Sequence, residues 1–482
     1  MKKSRPHPEN PKLALPEEFR ISMKARLGDD FDEFEAAHLQ AAPVSIRLNP
    51  HKWQDKSIVL ERIPWADKGY YLPERPLFTA DPYWHGGAYY VQEASSMLLE
   101  QVFKQLPTLQ RPIIALDLCA APGGKSTHLL SLLHEDSVLV SNELISNRFQ
   151  SLQENLIKWG SANVVCSNLD PKVIGDSGLQ FDFILVDAPC SGEGLFRKSP
   201  DACKEWSPKN VQHCSIRQQN ILQSAIAALK PGGILCYSTC TYEPLENQVP
   251  IERWIAEGTL KSLSLELDGS WGFQTIESST IAGYQAYPHR VKGEGFYLSV
   301  FEKQNQSPPT GSGRVANAPT MITSKQKEAL KDWVNTEIEY IGIQDHLGQI
   351  RLIQAAHWQS IQYILSGIKI KSAGIIGGQM KGDAFVPDHA LAMSLIASPQ
   401  IARYPLDLNE ALQYLKKETI PSRSEGLGWA LAHYEGVDLG WLKRIPGRIN
   451  NLYPSEWRIR LSIPSESKGL QSLESLRSLQ VP

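Results

Sequence analysis

The chain has 482 residues, a length that predicts about three domains and ample material for a buried core. With 42% hydrophobic residues, 21% charged residues and a net charge of −3, it has no overall basic excess, so any surface for nucleic acid must be a local patch. Its seven cysteines are odd in number and scattered, which argues against a disulfide framework and favours a reducing cytoplasm. The basic N-terminus is broken by prolines and lacks the apolar core of a signal peptide. No apolar run approaches membrane-spanning length, so we expect a soluble protein.

The first 100 residues predict a small N-terminal α/β subdomain. Residues 15–38 have apolar side chains at helical spacing with acidic residues near the start, and the segment SIRLNP follows at 45–50. The stretch 65–90 is rich in Trp, Tyr, Gly and His. Aromatic residues dominate ordinary cores, so these favour core and turn packing over stacking on bases.

The central part, residues 101–303, alternates between strand-like and helix-like runs. Strand-like runs are predicted at 113–117, 138–143, 164–168, 183–187 and 234–239, and helix-like runs after Lys125, after Ser146 and over 211–229. This alternation is typical of a parallel sheet with helices on both faces. A last pair of strands around 295–301 is predicted to add an edge hairpin.

A change of composition then divides the chain. Residues 304–320 are mostly Gln, Asn, Ser, Pro, Gly and Thr, which predicts a linker. A second folded region, residues 321–482, is expected to begin with a helix over KQKEALKDWVNTEIEYI and to continue as short β-like runs and turns.

The most informative stretch is ALDLCAAPGGK at 115–125. It predicts a strand, a glycine turn and the start of a helix, a unit that brings backbone N–H groups to a polar ligand. The ending GGKST resembles that of a phosphate-binding P-loop, but the first glycine of that motif is replaced by Cys119. A nucleoside triphosphate site is therefore disfavoured.

Acidic residues and cysteines follow several of the predicted strands. They are Asp117, Glu143, Asp170, Asp187, Cys190 and Cys240. In an open parallel sheet the ligand binds at the carboxyl ends of the strands, so we expect these side chains to share one edge. Glu143 stands where a carboxylate usually binds the ribose of a nucleoside cofactor, which leaves NAD and S-adenosylmethionine both open. The missing G-x-G-x-x-G pattern disfavours a dinucleotide, and an acidic helix cap or a solvated edge charge is the plain alternative for Glu143.

Two of the cysteines stand out from the others. Cys190 and Cys240 each follow an apolar strand and precede polar residues, whereas Cys119, Cys166, Cys203, Cys214 and Cys236 are assigned to ordinary packing. No close Cys-x-x-Cys pair supports a metal site, and none is predicted. A thiolate beside a methyl donor suits methylation at carbon 5 of a pyrimidine, because addition to carbon 6 makes carbon 5 nucleophilic.

Five motifs resemble the RNA cytosine-5 methyltransferases of the Nol1/Nop2/Sun family. They are CAAPGGK (119–125), SNELISNR (141–148), DAPCSGEGLFRKSP (187–200), LKPGGILCYSTCTYEPLEN (229–247) and PHRVKGEGFYL (288–298), in the order of the family. The segments SIRLNP and GGAYYVQEASSM also look like the family's N-terminal part. The resemblance implies a Rossmann-like methyltransferase domain that uses S-adenosylmethionine.

The same resemblance assigns roles to individual residues. It implies that Cys240 is the nucleophile, that Cys190 assists release of the methylated RNA, and that Asp187 lies next to the target base. The cofactor would be held by the turn residues and three carboxylates: Cys119, Ala120, Ala121, Pro122, Gly123, Gly124, Lys125, Glu143, Asp170 and Asp187.

The overall length and the C-terminal stretch GLGWALAHYEGVDLGWLKRIPGRINNLYP look like the bacterial 16S rRNA enzymes with a C-terminal PUA-like domain. There Lys443, Arg444, Arg448, Arg458 and Arg460 are interleaved with Trp441, Tyr453 and Trp457. This cluster could bind RNA phosphates and stack on bases, or it could be a solvated face over a β core. In the rest of the chain Arg47, Arg197, Lys198 and Arg290 are the candidate RNA contacts, the first of them in the predicted N-terminal RNA-binding subdomain.

Taken together, the sequence predicts a cytoplasmic, monomeric RNA cytosine-5 methyltransferase acting on 16S rRNA, in a small ribosomal subunit particle. The same chemistry on transfer RNA is the nearest alternative. A non-catalytic ribosome assembly or RNA-binding factor is a second one, and a nicotinamide oxidoreductase is a distant third.

Overall fold

The computed structural model describes residues 15–53, 59–277, 281–304, 319–345, 347–422 and 426–460. Most of the predicted linker, 304–320, lies outside the described residues, as do residues 1–14 of the predicted N-terminal subdomain and 461–482 of the predicted C-terminal region.

The N-terminal part consists of short helices and a three-stranded sheet. Its elements are α1 Glu17–Leu27, α2 Phe31–His38, β1 Val44–Leu48, β2 Gly69–Leu72, α3 Pro82–His85, β3 Tyr89–Val91 and α4 Leu99–Gln105. The strand β1 is central and pairs antiparallel with both β2 and β3. The helical pattern predicted over 15–38 is divided at Gly28, whose positive φ of 55° ends α1. The aromatic residues Trp65, Tyr70, Tyr71 and Tyr89 are buried, as their prediction as core residues requires.

The central part is an open sheet crossed by helices. Its strands are β4 Ile114–Asp117, β5 Val138–Asn142, β6 Val164–Ser167, β7 Phe181–Asp187, β8 Leu229–Thr239, β9 Leu260–Leu263, β10 Gln274–Glu277, β11 Ala282–Ala286 and β12 Phe296–Lys303. Its helices are α5 Gly124–Leu132, α6 Ser146–Trp159, α7 Pro171–Gly175, α8 Pro200–Glu205, α9 Pro208–Ala228, α10 Pro244–Asn247 and α11 Val249–Ala256. The order β6-β5-β4-β7-β8 is parallel throughout.

The strand predicted at the edge of this sheet lies inside it. We expected an edge hairpin around 295–301, but β12 pairs antiparallel with β8 on one side and with β11 on the other. Its residues Phe296 to Phe301 are all buried, and all of them except Ser299 are apolar or aromatic. Such a continuous run is what a strand covered on both faces requires.

Two apolar cores cover the two faces of the sheet. Along β7, Phe183 and Leu185 enter one core, and Ile184 and Val186 enter the other. Since successive side chains of a strand point to opposite faces, a fully apolar strand can complete both layers. The strand ends are thereby held rigidly at one edge.

The C-terminal part adds two smaller sheets. Its elements are β13 Thr320–Met321, α12 Ser324–Leu330, β14 Tyr340–Gln344, β15 Gln349–Gln354, α13 Trp358–Gly367, β16 Ser372–Ala373, β17 Ile375–Lys381, β18 Ala384–Pro387, α14 His389–Ala392, β19 Arg403–Pro405, α15 Leu408–Leu415, β20 Gly428–Tyr434, β21 Val437–Ile445 and β22 Arg448–Asn451. The helix predicted over KQKEALKDWVNTEIEYI is much shorter than expected. It ends at Leu330, and Asn335 then forms a turn by accepting a hydrogen bond from the N–H of Glu337 at 3.1 Å.

The parts of the chain are joined by shared elements and shared cores. The strand β16 pairs with β6 and so extends the central sheet. Apolar residues of the N-terminal sheet, such as Ile46 and Tyr70, share one buried cluster with residues of the last sheet, such as Tyr434 and Leu439. No helix among the described residues is long and apolar enough to cross a membrane.

Candidate active site

The candidate site lies where the parallel strands of the central sheet end. Asp117 and Asp187 are the last residues of β4 and β7, and Glu143 follows β5 directly. Because neighbouring parallel strands end on the same edge, these carboxylates come together as the sequence predicted. Cys190 and Cys240 follow β7 and β8 at the same edge.

The glycine turn is held in place by hydrogen bonds from α6. Gly123, with a φ of 111°, directly precedes α5, a left-handed conformation that favours glycine. The Arg148 guanidinium donates to the carbonyl of Ala121 at 2.8 Å, and the Asn155 amide donates to the carbonyl of Pro122 at 2.9 Å. Both donors lie on α6, so the turn that precedes α5 is fixed from outside.

Asp117 and two of the predicted cofactor carboxylates, Glu143 and Asp170, have different surroundings. Asp117 is buried and accepts a hydrogen bond from Ser126 Oγ at 2.6 Å, and burial raises its pKa to about 7. Glu143 is also buried and accepts from the N–H of Ile145 at 2.9 Å. Asp170 is exposed and accepts from the N–H of Lys172 at 2.8 Å, so it caps the first turn of α7.

A partly buried ion pair lies beside the turn. Lys125 Nζ is 2.8 Å from Asp187 Oδ2, and Ser238 Oγ donates to Asp187 Oδ1 at 2.9 Å. Burial opposes the charge on Lys125, but the Asp187 carboxylate outweighs it and raises the pKa of the ammonium group. Asp187 is thus held by β8 and α5 at the end of its own strand.

The two predicted catalytic cysteines face each other. Cys190 Sγ and Cys240 Sγ are 3.2 Å apart, and both side chains are partly exposed. The hydrogen bond with Cys240 and burial raise the pKa of the Cys190 thiol well above its usual value. The N–H of Gly194 donates to the carbonyl of Cys240 at 2.8 Å, which ties the two loops together.

Two buried glutamates beneath these loops were not predicted from the sequence. Glu193 and Glu246 are fully buried. Glu193 lies on the Cys190 loop and accepts a hydrogen bond from the Cys240 loop, whereas Glu246 follows Cys240 and accepts one from the Cys190 loop. Their only signal in the sequence is an acidic residue three positions after Cys190 and six after Cys240.

Two of the predicted RNA contacts are wrong in their location. Arg47 is 1% exposed; its guanidinium donates to Gln92 Oε1 at 2.8 Å and to Thr127 Oγ1 at 2.7 Å. Arg197 is also buried and pairs with the Glu294 carboxylate at 2.9 Å. Both guanidinium groups are used inside the protein, so neither presents its charge to RNA.

The other predicted RNA contacts lie nearer to solvent. Lys198, Arg290, Lys443 and Arg448 are exposed, and Arg444 is half-buried. Arg290 pairs with Asp30, and Lys443 Nζ lies 5.3 Å from the centre of the Trp429 ring.

The aromatic residues near the C-terminal basic cluster belong mostly to the core. Trp441 and Tyr453 are buried, and the Trp441 indole donates to the carbonyl of Asp388 at 2.8 Å. They are not available as stacking platforms for bases. Trp457 is half-buried.

A parallel sheet with a glycine turn, an acidic residue after the second strand and two facing thiols defines a Rossmann-like, S-adenosylmethionine-dependent methyltransferase. Three family models match the chain in order. They describe the N-terminal domain of 16S rRNA methyltransferase RsmF at residues 15–94, the 16S rRNA methyltransferase RsmB/F at 108–302, and the methyltransferase RsmF PUA domain at 402–459. The chain belongs to the RsmB/F family of 16S rRNA methyltransferases and is an enzyme of that family.

Curated relatives resemble the chain over most of its length. The ribosomal RNA small subunit methyltransferase F of Salmonella arizonae is 31% identical over 481 residues, which cover 92% of this chain and 96% of the relative. The protein of the same name from Shewanella loihica is 29% identical over 438 residues, with 85% of each chain covered.

Solved structures share the fold. A methyltransferase homolog protein from Pyrococcus horikoshii is 26% identical, with a TM-score of 0.50 over 60% of this chain and 100% of that one. NSun6 from Pyrococcus horikoshii, solved with SFG, is 20% identical, with a TM-score of 0.51 over 60% of this chain and 99% of that one.

The residues at the strand ends fit S-adenosylmethionine. Asp117 Oδ1 is buried and has no hydrogen-bond partner among the described residues. A buried carboxylate oxygen without a donor is costly, and a ligand donor at this position would satisfy it. The backbone at Gly123 carries no side chain over the turn, and Glu143 stands at the place of a ribose-binding carboxylate. Among the described residues, no group of three or more His, Cys, Asp or Glu side chains could hold a metal ion.

Proposed function

We propose that this enzyme methylates carbon 5 of a cytosine in 16S rRNA through a covalent bond between Cys240 Sγ and carbon 6 of the base. The observation that supports it is the pair of thiols 3.2 Å apart at the cofactor edge of the sheet. A methyl transfer to an oxygen or an amino nitrogen has no use for a thiol nucleophile, whereas carbon 5 must first be activated.

The chemistry assigns a step to each thiol. The Cys240 thiolate adds to carbon 6, and the electron pair of the 5,6 double bond moves toward carbon 5. The methyl group on carbon 5 would come from bound S-adenosylmethionine, which would leave as S-adenosylhomocysteine. A base then removes the proton of carbon 5, the double bond re-forms, and the bond between Cys240 Sγ and carbon 6 breaks. Cys190 lies close enough to Cys240 to exchange a proton with the departing thiolate.

The other site residues position the reactants. We assign Gly123 and Gly124, the neighbouring turn residues, Glu143 and Asp170 to cofactor binding, and Asp187 to both the cofactor and the base. The Lys125–Asp187 ion pair holds that carboxylate in place. The target cytosine must leave its stack to reach Cys240, as is general for enzymes that do chemistry on a base.

We assign RNA binding to the N-terminal subdomain, to the C-terminal PUA domain with Lys443, Arg444 and Arg448 as contacts, and to Lys198 and Arg290 of the catalytic part. The substrate is 16S rRNA in a small-subunit particle, the enzyme acts as a monomer, and its setting is the cytoplasm. Phosphate contacts of this kind make binding salt-dependent, so substrate affinity is expected to fall steeply as salt is raised.

The test is methyl transfer from labelled S-adenosylmethionine to small ribosomal subunits, naked 16S rRNA, 23S rRNA and transfer RNA, all from cells that lack this enzyme. We expect label in 5-methylcytosine of 16S rRNA, with the subunit as the better acceptor. Label confined to transfer RNA would overturn the substrate, and no label anywhere would favour an assembly factor without turnover.

Cysteine variants test the covalent step. Cys240→Ala is expected to abolish both methyl transfer and the protein–RNA adduct. Cys190→Ala is expected to form the adduct and release it slowly, so that a covalent species accumulates on a denaturing gel. Full activity of Cys240→Ala would refute the assignment of the nucleophile.

A further inference from the structure

The loops that carry the two thiols are joined by a crossed pair of buried carboxylates. Glu193 lies on the Cys190 loop, but its Oε2 accepts from Thr241 Oγ1 at 2.8 Å and from the N–H of Tyr242 at 2.9 Å. These donors follow Cys240 directly. Glu193 therefore belongs to the Cys190 loop and binds the Cys240 loop.

Glu246 completes the crossed arrangement from the opposite side. It lies after Cys240, and its Oε1 accepts from the N–H of Ser191 at 2.8 Å while its Oε2 accepts from Ser191 Oγ at 2.5 Å. Ser191 follows Cys190 directly. Ser191 Oγ and Thr241 Oγ1 are themselves 3.2 Å apart, between the two carboxylates.

Burial of both carboxylates needs a reason, because an ionised group inside a protein is costly unless it is well hydrogen-bonded. Both side chains are 0% exposed, and burial raises the pKa of Glu193 to about 7 and raises that of Glu246. Further donors complete each set: the Trp206 indole reaches Glu193 at 3.0 Å, and the Gln218 amide reaches Glu246 at 3.3 Å. The carboxylates are thus held in place while they bind Ser191 and Thr241, the residues that follow the two cysteines.

We propose that Glu193 and Glu246 are positioning residues that set the two thiols at reaction distance: Glu193 through the Cys240 loop and Glu246 through the Cys190 loop. The inference rests on the proposed function, in which the two cysteines have separate steps. It predicts separate kinetic defects, since a loose Cys240 loop impairs bond formation to carbon 6 and a loose Cys190 loop impairs release.

Glutamine is the appropriate replacement because it keeps the shape but has a single acceptor oxygen. At Glu193 that oxygen can serve the Tyr242 N–H or the Trp206 indole, but not both. The Cys240 loop keeps an outside anchor, because the Arg26 guanidinium donates to the carbonyl of Tyr242 at 2.7 Å and pairs with Glu243. We therefore expect the Glu193→Gln variant to fold.

The experiment uses the full-length enzyme and two forms of its RNA substrate, one unmodified and one containing 5-fluorocytosine. Fluorine at carbon 5 cannot leave as a proton, so the adduct persists after methyl transfer and its rate of formation can be measured. The variants are Glu193→Gln and Glu246→Gln. The control is Glu410→Gln, another buried carboxylate, which lies on α15 in the last sheet region. Cofactor affinity and the thermal midpoint are measured for each.

We expect Glu193→Gln to slow adduct formation on the 5-fluorocytosine RNA by about tenfold or more, with cofactor affinity unchanged. Glu246→Gln is expected to form that adduct at nearly the wild-type rate and to accumulate adduct on unmodified RNA, as Cys190→Ala does. The Glu410→Gln control should match the wild type in both assays.

Milder variants keep the test decisive if a glutamine variant does not fold. Thr241→Val should reproduce the slow addition of Glu193→Gln, and Ser191→Ala the slow release of Glu246→Gln. If the wild type formed the adduct and all four variants formed and released it at the wild-type rates, the positioning roles would be overturned. A loss of rate that merely follows a fall in thermal midpoint would also overturn them. Absence of an adduct in the wild type would instead reject the covalent function itself.

Discussion

Replacing Arg47 by methionine separates two explanations of this residue. As a surface contact it would bind RNA, whereas the structure places it between the N-terminal sheet and the start of α5. Its guanidinium lies 4.5 Å from the centre of the Trp159 ring and hydrogen-bonds to Gln92 and Thr127, with a further contact of 3.3 Å to the carbonyl of Gly124. Burial lowers its pKa to about 9, which still leaves it charged at neutral pH.

The expected loss of stability can be worked from these contacts. Two short hydrogen bonds to a charged group are worth about 1.5–3 kcal/mol each. Thr127 keeps its bond to the carbonyl of Gly123 at 2.8 Å, and removal of the buried charge recovers part of its desolvation cost. A net loss of about 3 kcal/mol is therefore expected, which lowers the thermal midpoint of a chain of this length by roughly 3 °C.

The measurement is thermal unfolding of Arg47→Met together with titrations of cofactor and of RNA. We expect a lower midpoint and weaker cofactor binding, because the first turn of α5 loses its brace at Gly124 and Thr127. RNA affinity at a fixed salt concentration should remain unchanged at temperatures where the variant is folded. Normal stability with weakened RNA binding would refute the buried position and restore the surface role.

Two further variants test the packing. Gly87→Ala should fail to yield folded protein, since Gly87 has a φ of 72° and an added Cβ would lie 1.9 Å from the carbonyl oxygen of Lys158. Gly258→Ala, where φ is 69° and an added Cβ would meet no atom within 4 Å, should lower the free energy of unfolding by only about 1 kcal/mol. Equal expression and stability of the two variants would contradict this difference. His389 is half-buried with both ring nitrogens inaccessible to solvent, and burial followed by the charges of Lys158 and Lys52 lowers its pKa to about 3. The folded state therefore favours the neutral imidazole, and this contribution is complete above pH 6.5 and is lost as the pH falls from 6.5 toward 3. The free energy of unfolding of the wild type, measured by chemical denaturation, should fall by about 1 kcal/mol more than that of His389→Leu between pH 7.5 and 5.5. A constant difference between the two proteins over this range would show that the pKa of His389 is not lowered in the folded state.

The central fold was predictable because its signals are local. Apolar strands followed by Asp117 and Asp187, and a glycine turn that only a left-handed residue such as Gly123 completes, define the sheet and its ligand edge from short stretches of sequence. The position of β12 could not be predicted in this way. Whether a strand lies at an edge or inside a sheet depends on its partners, which are distant in sequence.

The misplaced RNA contacts have a similar cause. An arginine in SIRLNP or in FRKSP is equally consistent with a solvated side chain and with a buried one, because the deciding partner, Gln92 for Arg47 and Glu294 for Arg197, lies in another segment. The crossed glutamates went unpredicted for the same reason. Their role is visible only when the loops after β7 and β8 lie side by side.

The cluster shared by the first and last sheets has a consequence for biosynthesis. Ile46 and Tyr70 emerge from the ribosome early, yet other members of their buried cluster, such as Tyr434 and Leu439, are translated after the whole central sheet. During synthesis the N-terminal sheet must therefore remain incompletely buried, a state that favours aggregation or capture by chaperones. Because this closure joins residues far apart in sequence, it should also be a slow step of refolding.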